Sequence, residues 1–334
     1  QLRPYCGAHA RVIFNFFSHL WQSPLSFARA FGMATPTLRP NWLTPVDLHN
    51  LLTLCGFEAL RHWQEFVVPL PLPGARWLNR IFPKLVPFHT FALTHFIVTR
   101  PVAQVSKKQE TCSVVIAARN EEGHIDELMK RVPDMGGKTE IIFVEGNSTD
   151  DTYGAIERAI AKNPERKCKL FKQAGKGKGD AVRTGFREAT GDILMILDAD
   201  ITVIPEDLPR FYDAIHKGQG EFINGVRLVY PMEDEAMRFF NKLGNKFFAA
   251  AFSFLLGQPI RDTLCGTKVI RRTDYERLAA NRAYFGDFDP FGDFDLLFGA
   301  AKLNLKILEV PVRYRARRYG ETNIQRWRHG LLLL

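Results

Sequence analysis

The sequence has no paired-cysteine signature. Its five cysteines, Cys6, Cys55, Cys112, Cys168 and Cys265, lie far apart with no C-x-x-C among them. That argues against a zinc site or a disulfide framework and fits a reducing cytosol. Residues 1–30 show no signal-peptide pattern, and no apolar run reaches the roughly 20 residues that a membrane-spanning helix needs. The longest, residues 247–257 (FFAAAFSFLLG), suits either a buried core helix or one lying in a membrane interface. Acids are nearly missing from residues 1–104, where prolines and aromatics are frequent. Across all 334 residues, 46% hydrophobic and 24% charged is the balance of a globular protein. The net charge of +9 leaves acidic or phosphorylated partners and anionic membrane surfaces open, beside an ordinary solvated face. Gln1 at the start, and the apolar residues 331–334 after Arg326, Arg328 and His329, look like the cut ends of a longer chain. The last residues read equally as the opening of an amphipathic helix or as an ordinary helix ending.

What is present divides at a polar stretch. Residues 105–110 (VSKKQE) read as a linker between a first segment, 1–104, and a second, 111–334. In the first, residues 11–17 read as a strand. Thr44 is an N-cap with Pro45 at the first helical position, Leu48, Leu51, Leu52 and Leu54 form the helix's apolar stripe, and Gly56 stops it. Further strands are predicted over 57–63 and 93–99. The run NWLTPVDLHNLLTLCGFEALR, with the late strand ending in Arg100 and Pro101, resembles the C-terminal half of a class I S-adenosylmethionine-dependent methyltransferase. The resemblance implies an incomplete Rossmann-like methyltransferase remnant. Its cofactor-binding Gly-rich turn is missing here, so the segment is expected to be catalytically silent and to act only by packing.

The second segment alternates strand and helix. Residues 112–118 (CSVVIAA) form a continuous apolar run, the mark of a strand buried on both faces, followed by a helix over 121–132. A strand over 140–144 leads to a turn where Ser148 or Thr149 caps a helix with Asp150 and Asp151 in its first turn. Strands follow over 169–172 and 193–197, the last ending on Asp198. Such alternation predicts an α/β fold with an open, mostly parallel sheet, whose ligand site lies beyond the carboxyl ends of its strands. Each polar cluster named sits at such an end. Asp198 and Asp200, on one short loop, suit a hard divalent cation, Mg²⁺ or Mn²⁺, shared with a diphosphate. Standing unpaired after the run ILMIL, the two would repel each other without a cation. The stretch GKGKGDA (175–181) follows a strand and opens a helix over 181–189, so backbone and helix N-terminus can approach a phosphate. It is neither a P-loop nor a dinucleotide fingerprint.

These motifs come in a specific order: VVIAARNEE, VEGNSTDDT, GKGKGDAVRTGF, DILMILDAD, DTLCGTKVI, GDFDLLFGAA and EVPVRYRARRYGETN. Over residues 112–326 they resemble the family-2 glycosyltransferases of the A-type fold, close to polyprenyl-phosphate (dolichyl-phosphate) mannose and glucose synthases. The resemblance implies that Ala118, Asn120, Glu121 and Glu145 hold the nucleoside, joined by Lys178 and Asp180 from the glycine-rich stretch. It implies that Asp198, Asp200 and Asp293 bind the metal, that Asp295 faces the acceptor, and that Arg317 grips the diphosphate. Glu145-Gly146-Asn147-Ser148 departs from the family's Asp-Asp-Gly-Ser, which leaves the base, uridine or guanosine, open. Arg271 and Arg272 are candidates for an acceptor-phosphate pocket.

The expected activity is metal-dependent, inverting transfer of a sugar from a nucleoside-diphosphate sugar to a polyprenyl phosphate. A phosphate acceptor is already anionic, whereas an alcohol would need Asp295 as base. Two other classes stay open: a sugar nucleotidyltransferase, which would carry its glycine-rich loop after the first strand, and an impaired nucleotide-sugar binding module. A cytoplasmic protein, touching the inner face of a membrane peripherally and with no nucleic-acid partner, is the corresponding expectation.

Overall fold

The computed structural model describes residues 2–35, 42–103, 105, 108–227, 239–281 and 292–315. The chain divides into two compact units, one of residues 1–104 with 257–259, the other of residues 105–256 and 260–334.

In the first unit β1 (Val12–Phe17) is followed by α1 (Gln22–Ala30), α2 (Pro45–Leu54), β2 (Phe57–Glu65), α3 (Ala75–Ile81) and β3 (Thr94–Pro101). The sheet order is β1-β3-β2, with β3 antiparallel to both neighbours. Thr44 caps α2 as its sequence requires, and Asp47 completes a capping box. The Asp47 N–H donates to Thr44 Oγ1 at 3.1 Å while Asp47 Oδ2 accepts the Thr44 N–H at 2.9 Å. Leu48 and Leu52, one turn apart, pack against Phe57 and Ile97, with Val12, Phe14 and Phe16 alongside.

The second unit runs β4 (Cys112–Ala118), α4 (Ile125–Arg131), β5 (Thr139–Glu145), α5 (Thr152–Lys162), β6 (Lys167–Lys172), α6 (Gly177–Glu188), β7 (Ile193–Asp198) and α7 (Leu208–His216). It continues with β8 (Phe222–Val226), α8 (Phe239–Leu256), β9 (Lys268–Arg271), α9 (Arg272–Ala280), α10 (Asp293–Lys302) and β10 (Ile307–Pro311). The sheet order is β10-β8-β9-β7-β4-β5-β6. Strand β9 is antiparallel to β7 and β8, and the other pairs are parallel. This is the mostly parallel α/β sheet that the sequence predicts. The apolar run of β4 has partners on both faces. Val114 and Ile116 join Ile125, Leu128, Met129, Ile156 and Phe211, and Val115 joins Val182, Phe186, Leu278 and Leu297.

Three local expectations shift. Residues 122–124 form a 3-10 turn, and α4 begins only at Ile125. Helix α5 has Asp151, not Ser148 or Thr149, in the cap position, because those two side chains turn back to Asn120. Helix α6 starts at Gly177 rather than at 181, entered through a glycine at φ +83°. Its first turn therefore contains Lys178, Gly179 and Asp180.

Residues 247–257 fall mainly on α8, where Ala249, Phe252 and Leu256 are buried and Phe247, Phe254 and Leu255 are exposed. Among the described residues no helix is long and apolar enough to cross a membrane. All five cysteines are free.

The amino ends of the parallel strands are tied by one half-buried and one buried carboxylate. Glu110, in the stretch read as linker, takes both Arg271 Nε and one of that residue's terminal nitrogens at 3.0 Å, and His216 Nδ1 at 2.9 Å. Arg271 therefore cannot serve an acceptor pocket at the site, and Arg272 stands beside it, 3.9 Å from Asp192. The reversal of β9 carries its far end away from the other strands' carboxyl ends. Glu140 Oε2 accepts from Ser113 Oγ at 2.7 Å and from the Thr190 N–H at 3.0 Å, and Oε1 is ion-paired with Lys169 Nζ at 2.8 Å. Burial opposes its ionisation, but Lys169, Thr190, Ser113 and Lys167 together hold its carboxyl down at about 2.

A carboxyl depressed in the folded chain stabilises fully above its unfolded value, near 4.5, and loses that contribution as pH falls toward 2. Glu140→Gln is expected to cost about 2–4 kcal/mol at neutral pH. Urea denaturation should show the gap between wild type and variant closing from pH 5 to 2. A gap constant across that range would contradict the assignment.

Candidate functional site

The sheet order places the carboxyl ends of β7, β4, β5 and β6 side by side, so the segments that follow them converge. Three of those segments carry a non-glycine residue in the left-handed region: Asn120 at φ +57°, Asn147 at +56° and Ile201 at +55°. Asparagine tolerates this conformation. A β-branched isoleucine does not, and it sits directly after Asp200.

The turns after β4 and β5 are latched together. The Gly146 N–H donates to Ala118 O at 2.8 Å, the Asn120 N–H to Ser148 Oγ at 3.0 Å, and the Thr149 N–H to Asn120 Oδ1 at 2.8 Å. Glu121 is buried, with its N–H on Thr152 Oγ1 and its carboxylate 2.8 Å from His124 Nδ1. Glu145 is 1% exposed. Its Oε1 accepts the Ser148 N–H at 2.5 Å, while Oε2 is buried with no hydrogen-bond partner among the described residues. A buried acceptor of this kind calls for a donor from outside.

The next turn leads from β6 into α6. The Gln173 N–H reaches Glu145 O at 3.0 Å, and Asp180 Oδ2 accepts the Gly175 N–H at 2.9 Å, so Asp180 shapes the turn that its own helix follows. One turn of helix then carries Lys178 to the end of β7, where its Nζ lies 2.5 Å from Asp198 Oδ1. The two side chains are 25% and 28% exposed. Burial alone would push the Asp198 carboxyl up. The charge and hydrogen bond of Lys178, backed by Lys268 and Arg227, hold it below the usual carboxylate range.

The expectation of two unpaired carboxylates is thus corrected. Asp198 has Lys178 beside it because α6 begins earlier than its glycines suggest. Asp200 Oδ1 accepts the Thr202 N–H at 3.1 Å and its hydroxyl at 2.7 Å. Gly266, in the turn leading to β9, lies so close that a methyl group there would collide with both Asp198 Oδ2 and Lys178 Nζ.

The chain after β10 crosses the same place. The Arg315 N–H donates to Thr202 O at 2.9 Å, and Tyr314 bridges to Val203. The Arg227 guanidinium lies 5.1 Å above the Tyr314 ring and pairs at 2.7 and 2.8 Å with the fully buried Asp262. Arg317 lies outside the described residues, two positions beyond this strap. Helix α10 begins at Asp293 as expected, and a methyl group on its cap residue Gly292 would come 2.7 Å from Gly179 Cα. The side chain of Asp293 is likewise outside what is described. Asp295 is buried, with Oδ2 3.7 Å from an Arg183 nitrogen. Among the described residues no group of three or more His, Cys, Asp or Glu is placed to hold a metal. Asp198 and Asp200 supply hard oxygen donors of the type Mg²⁺ or Mn²⁺ prefers.

Gly266, Lys268, Arg227 and Tyr314 are neighbours that sequence reasoning assigned no role. The signal for the first two was the run DTLCGTK, which puts an acid, a glycine and a lysine within seven residues.

Filling the space over Gly266 should destabilise the second unit. Gly266→Ala is expected to cost about 1–3 kcal/mol in urea denaturation. Gly7→Ala, where nothing lies within 4 Å, serves as control. Equal stability of the two variants would remove the close approach.

Comparison with known proteins finds relatives named for lipid phosphates. The dolichol-phosphate mannosyltransferase of Pyrococcus furiosus is 29% identical over 218 residues, covering 64% of this chain and 59% of the relative. An undecaprenyl-phosphate 4-deoxy-4-formamido-L-arabinose transferase of Edwardsiella ictaluri is 24% identical over 228 residues, 66% of this chain and 64% of its own. A dolichyl-phosphate hexose transferase of Haloferax volcanii is 29% identical over 229 residues, 65% and 88% respectively. The chain spans less than two thirds of the length of the first two. The family model described as glycosyl transferase family 2 matches residues 113–279, half of the chain, and the chain belongs to that family.

Proposed function

We propose that this glycosyltransferase moves a hexosyl group from a nucleoside-diphosphate sugar to the phosphate of a polyprenyl phosphate, with Mg²⁺ or Mn²⁺ at Asp198, Asp200 and Asp293. The observation that carries the reading is the meeting of Lys178 and Asp198 on Gly266 at the end of β7. A cationic and an anionic side chain there can receive a diphosphate and its cation together. Glu145 Oε2, at the end of β5, needs a donor that a nucleoside N–H or hydroxyl can provide. Ala118, Asn120 and Glu121 shape the same latched corner. Arg317, on the segment that begins at the Tyr314 strap, is assigned to the diphosphate.

The cation, when bound, neutralises charge on the departing diphosphate. The chain's own groups do the rest. Lys178 and Arg317 hold the diphosphate, and Glu145 fixes the nucleoside. The acceptor phosphate oxygen forms a bond to the anomeric carbon as the bond to the diphosphate oxygen breaks, with inversion as the resemblance implies. No base is needed for an anionic acceptor. An alcohol would need one, and burial of Asp295 against Arg183 favours the phosphate. The relatives named for dolichyl and undecaprenyl phosphates support the same acceptor class. Exposed Phe247, Phe254 and Leu255 on α8 suit peripheral contact with the inner, cytoplasmic face of a membrane.

The first unit is assigned the role of a methyltransferase-like remnant. Its helix and strands over 45–65 and its late strand 94–101 support that reading.

A thermal-shift series with UDP- and GDP-sugars, with and without Mn²⁺, should show stabilisation that needs both. Transfer to polyprenyl phosphate should fall at least about tenfold in Asp200→Ala. Undiminished transfer by that variant would sink the metal assignment. Absence of any stabilisation would point to a chain that does not use nucleotide sugars.

A further inference from the structure

Asp198 has three cations near it, and they are not equivalent. Lys268 is 1% exposed and donates to the carbonyl of Cys265. Arg227 is locked in a two-pronged pair with buried Asp262. Both are fixed in the floor behind the carboxylate. Lys178 differs: its side chain is a quarter exposed, on the first turn of α6, between Gly177 and Gly179. Neither flanking residue carries a side chain to confine it. Gly177 has the left-handed backbone that sets the entry of the helix. Lys178 contacts Asp198 Oδ1, the kind of oxygen a divalent cation would take.

An ammonium 2.5 Å from a carboxylate oxygen and a dication on that oxygen exclude each other, by charge and by space. Gly266 lies hard against the pair, and the Lys178 side chain is open to solvent over a quarter of its surface. We infer that Lys178 is a displaceable counter-ion of the divalent cation site, which neutralises Asp198 until cation and nucleoside diphosphate arrive and then passes to the diphosphate. The inference rests on the metal-dependent reading above. It makes cation and nucleotide binding mutually reinforcing. The cation alone must evict an ammonium from Asp198, and the diphosphate offers that ammonium an anionic partner. Asp200 Oδ1 accepts the N–H and the hydroxyl of Thr202.

The test is Mn²⁺ titration of the whole chain followed by electron paramagnetic resonance, with and without UDP or GDP, on wild type, Lys178→Met, Lys178→Arg and Asp200→Ala. Wild type should bind Mn²⁺ weakly alone and much more tightly with the nucleotide. Lys178→Met should bind Mn²⁺ alone about three- to tenfold more tightly than wild type, and its gain from nucleotide should shrink. Lys178→Arg, which keeps the charge, should restore weak binding alone. A merely structural lysine would not separate these two affinities. If Lys178→Met binds Mn²⁺ alone no better than wild type while its nucleotide gain is intact, the counter-ion role is overturned. With Asp200→Ala still losing Mn²⁺ in that case, the metal reading survives by itself. If wild type binds no Mn²⁺ even with nucleotide, the metal reading falls and the counter-ion falls with it.

Discussion

An ionised carboxylate at the end of a strand buried on both faces must be compensated, and much of the second unit is arranged around that need at Asp198. The compensation comes from three elements remote in sequence. Helix α6 supplies Lys178, the first position of β9 supplies Lys268, and the residue after β8 is Arg227. Bringing the second of these to the right end of the sheet requires β9 to run against its neighbours. A parallel β9 would place Lys268 at the amino ends, where Arg271 now meets Glu110. The single reversed strand is therefore part of the charge balance of the site. Gly266 is its spatial counterpart, since any side chain there would separate the ion pair.

The two ends of the sheet differ in how their carboxylates are compensated. At the amino end, Glu140 and Glu110 are surrounded by lysine, arginine, histidine and hydroxyl partners and join β4, β5, β6 and β9 rigidly. At the carboxyl end, Glu145 keeps an oxygen without a partner among the described residues, and the Lys178–Asp198 pair is open to solvent on one side. At the amino end the buried carboxylate is ion-paired with two lysines, whereas Glu145 has no ion pair among the described residues. Such asymmetry is expected when a rigid scaffold presents mobile chemistry.

Much of this was legible in the residues. Strands β4 to β7 were readable because burial on both faces leaves continuous apolar runs, and the cap at Thr44 because its chemistry is local. The placement of Asn120, Glu145 and Asp198 at strand ends followed from the same runs. What escaped depended on partners distant in sequence. Strands β8, β9 and β10 have only four or five residues each, and β8 contains Asn224 and Gly225, so no period marks them. The glycines at 175, 177 and 179 read as loop, yet 177 and 179 lie inside the first turn of α6. That shift is what turned Lys178 toward Asp198 and made two carboxylates that look unpaired into paired ones. Arg271 and Arg272 follow a lysine in sequence but end at the other side of the molecule's sheet, a consequence of strand direction that spacing cannot encode.

Ile201 stands in a backbone conformation that its branched side chain opposes, at a typical cost of about 1–3 kcal/mol. It is kept there by the hydrogen bonds of Thr202 to Asp200 and by the strap through Tyr314 and Arg315. The turn behaves as a latch under load, its relaxed geometry denied as long as the strap is seated. The strap holds residues 202 and 203, directly after the strained turn, so the backbone that orients Asp200 is tied to the chain leaving β10.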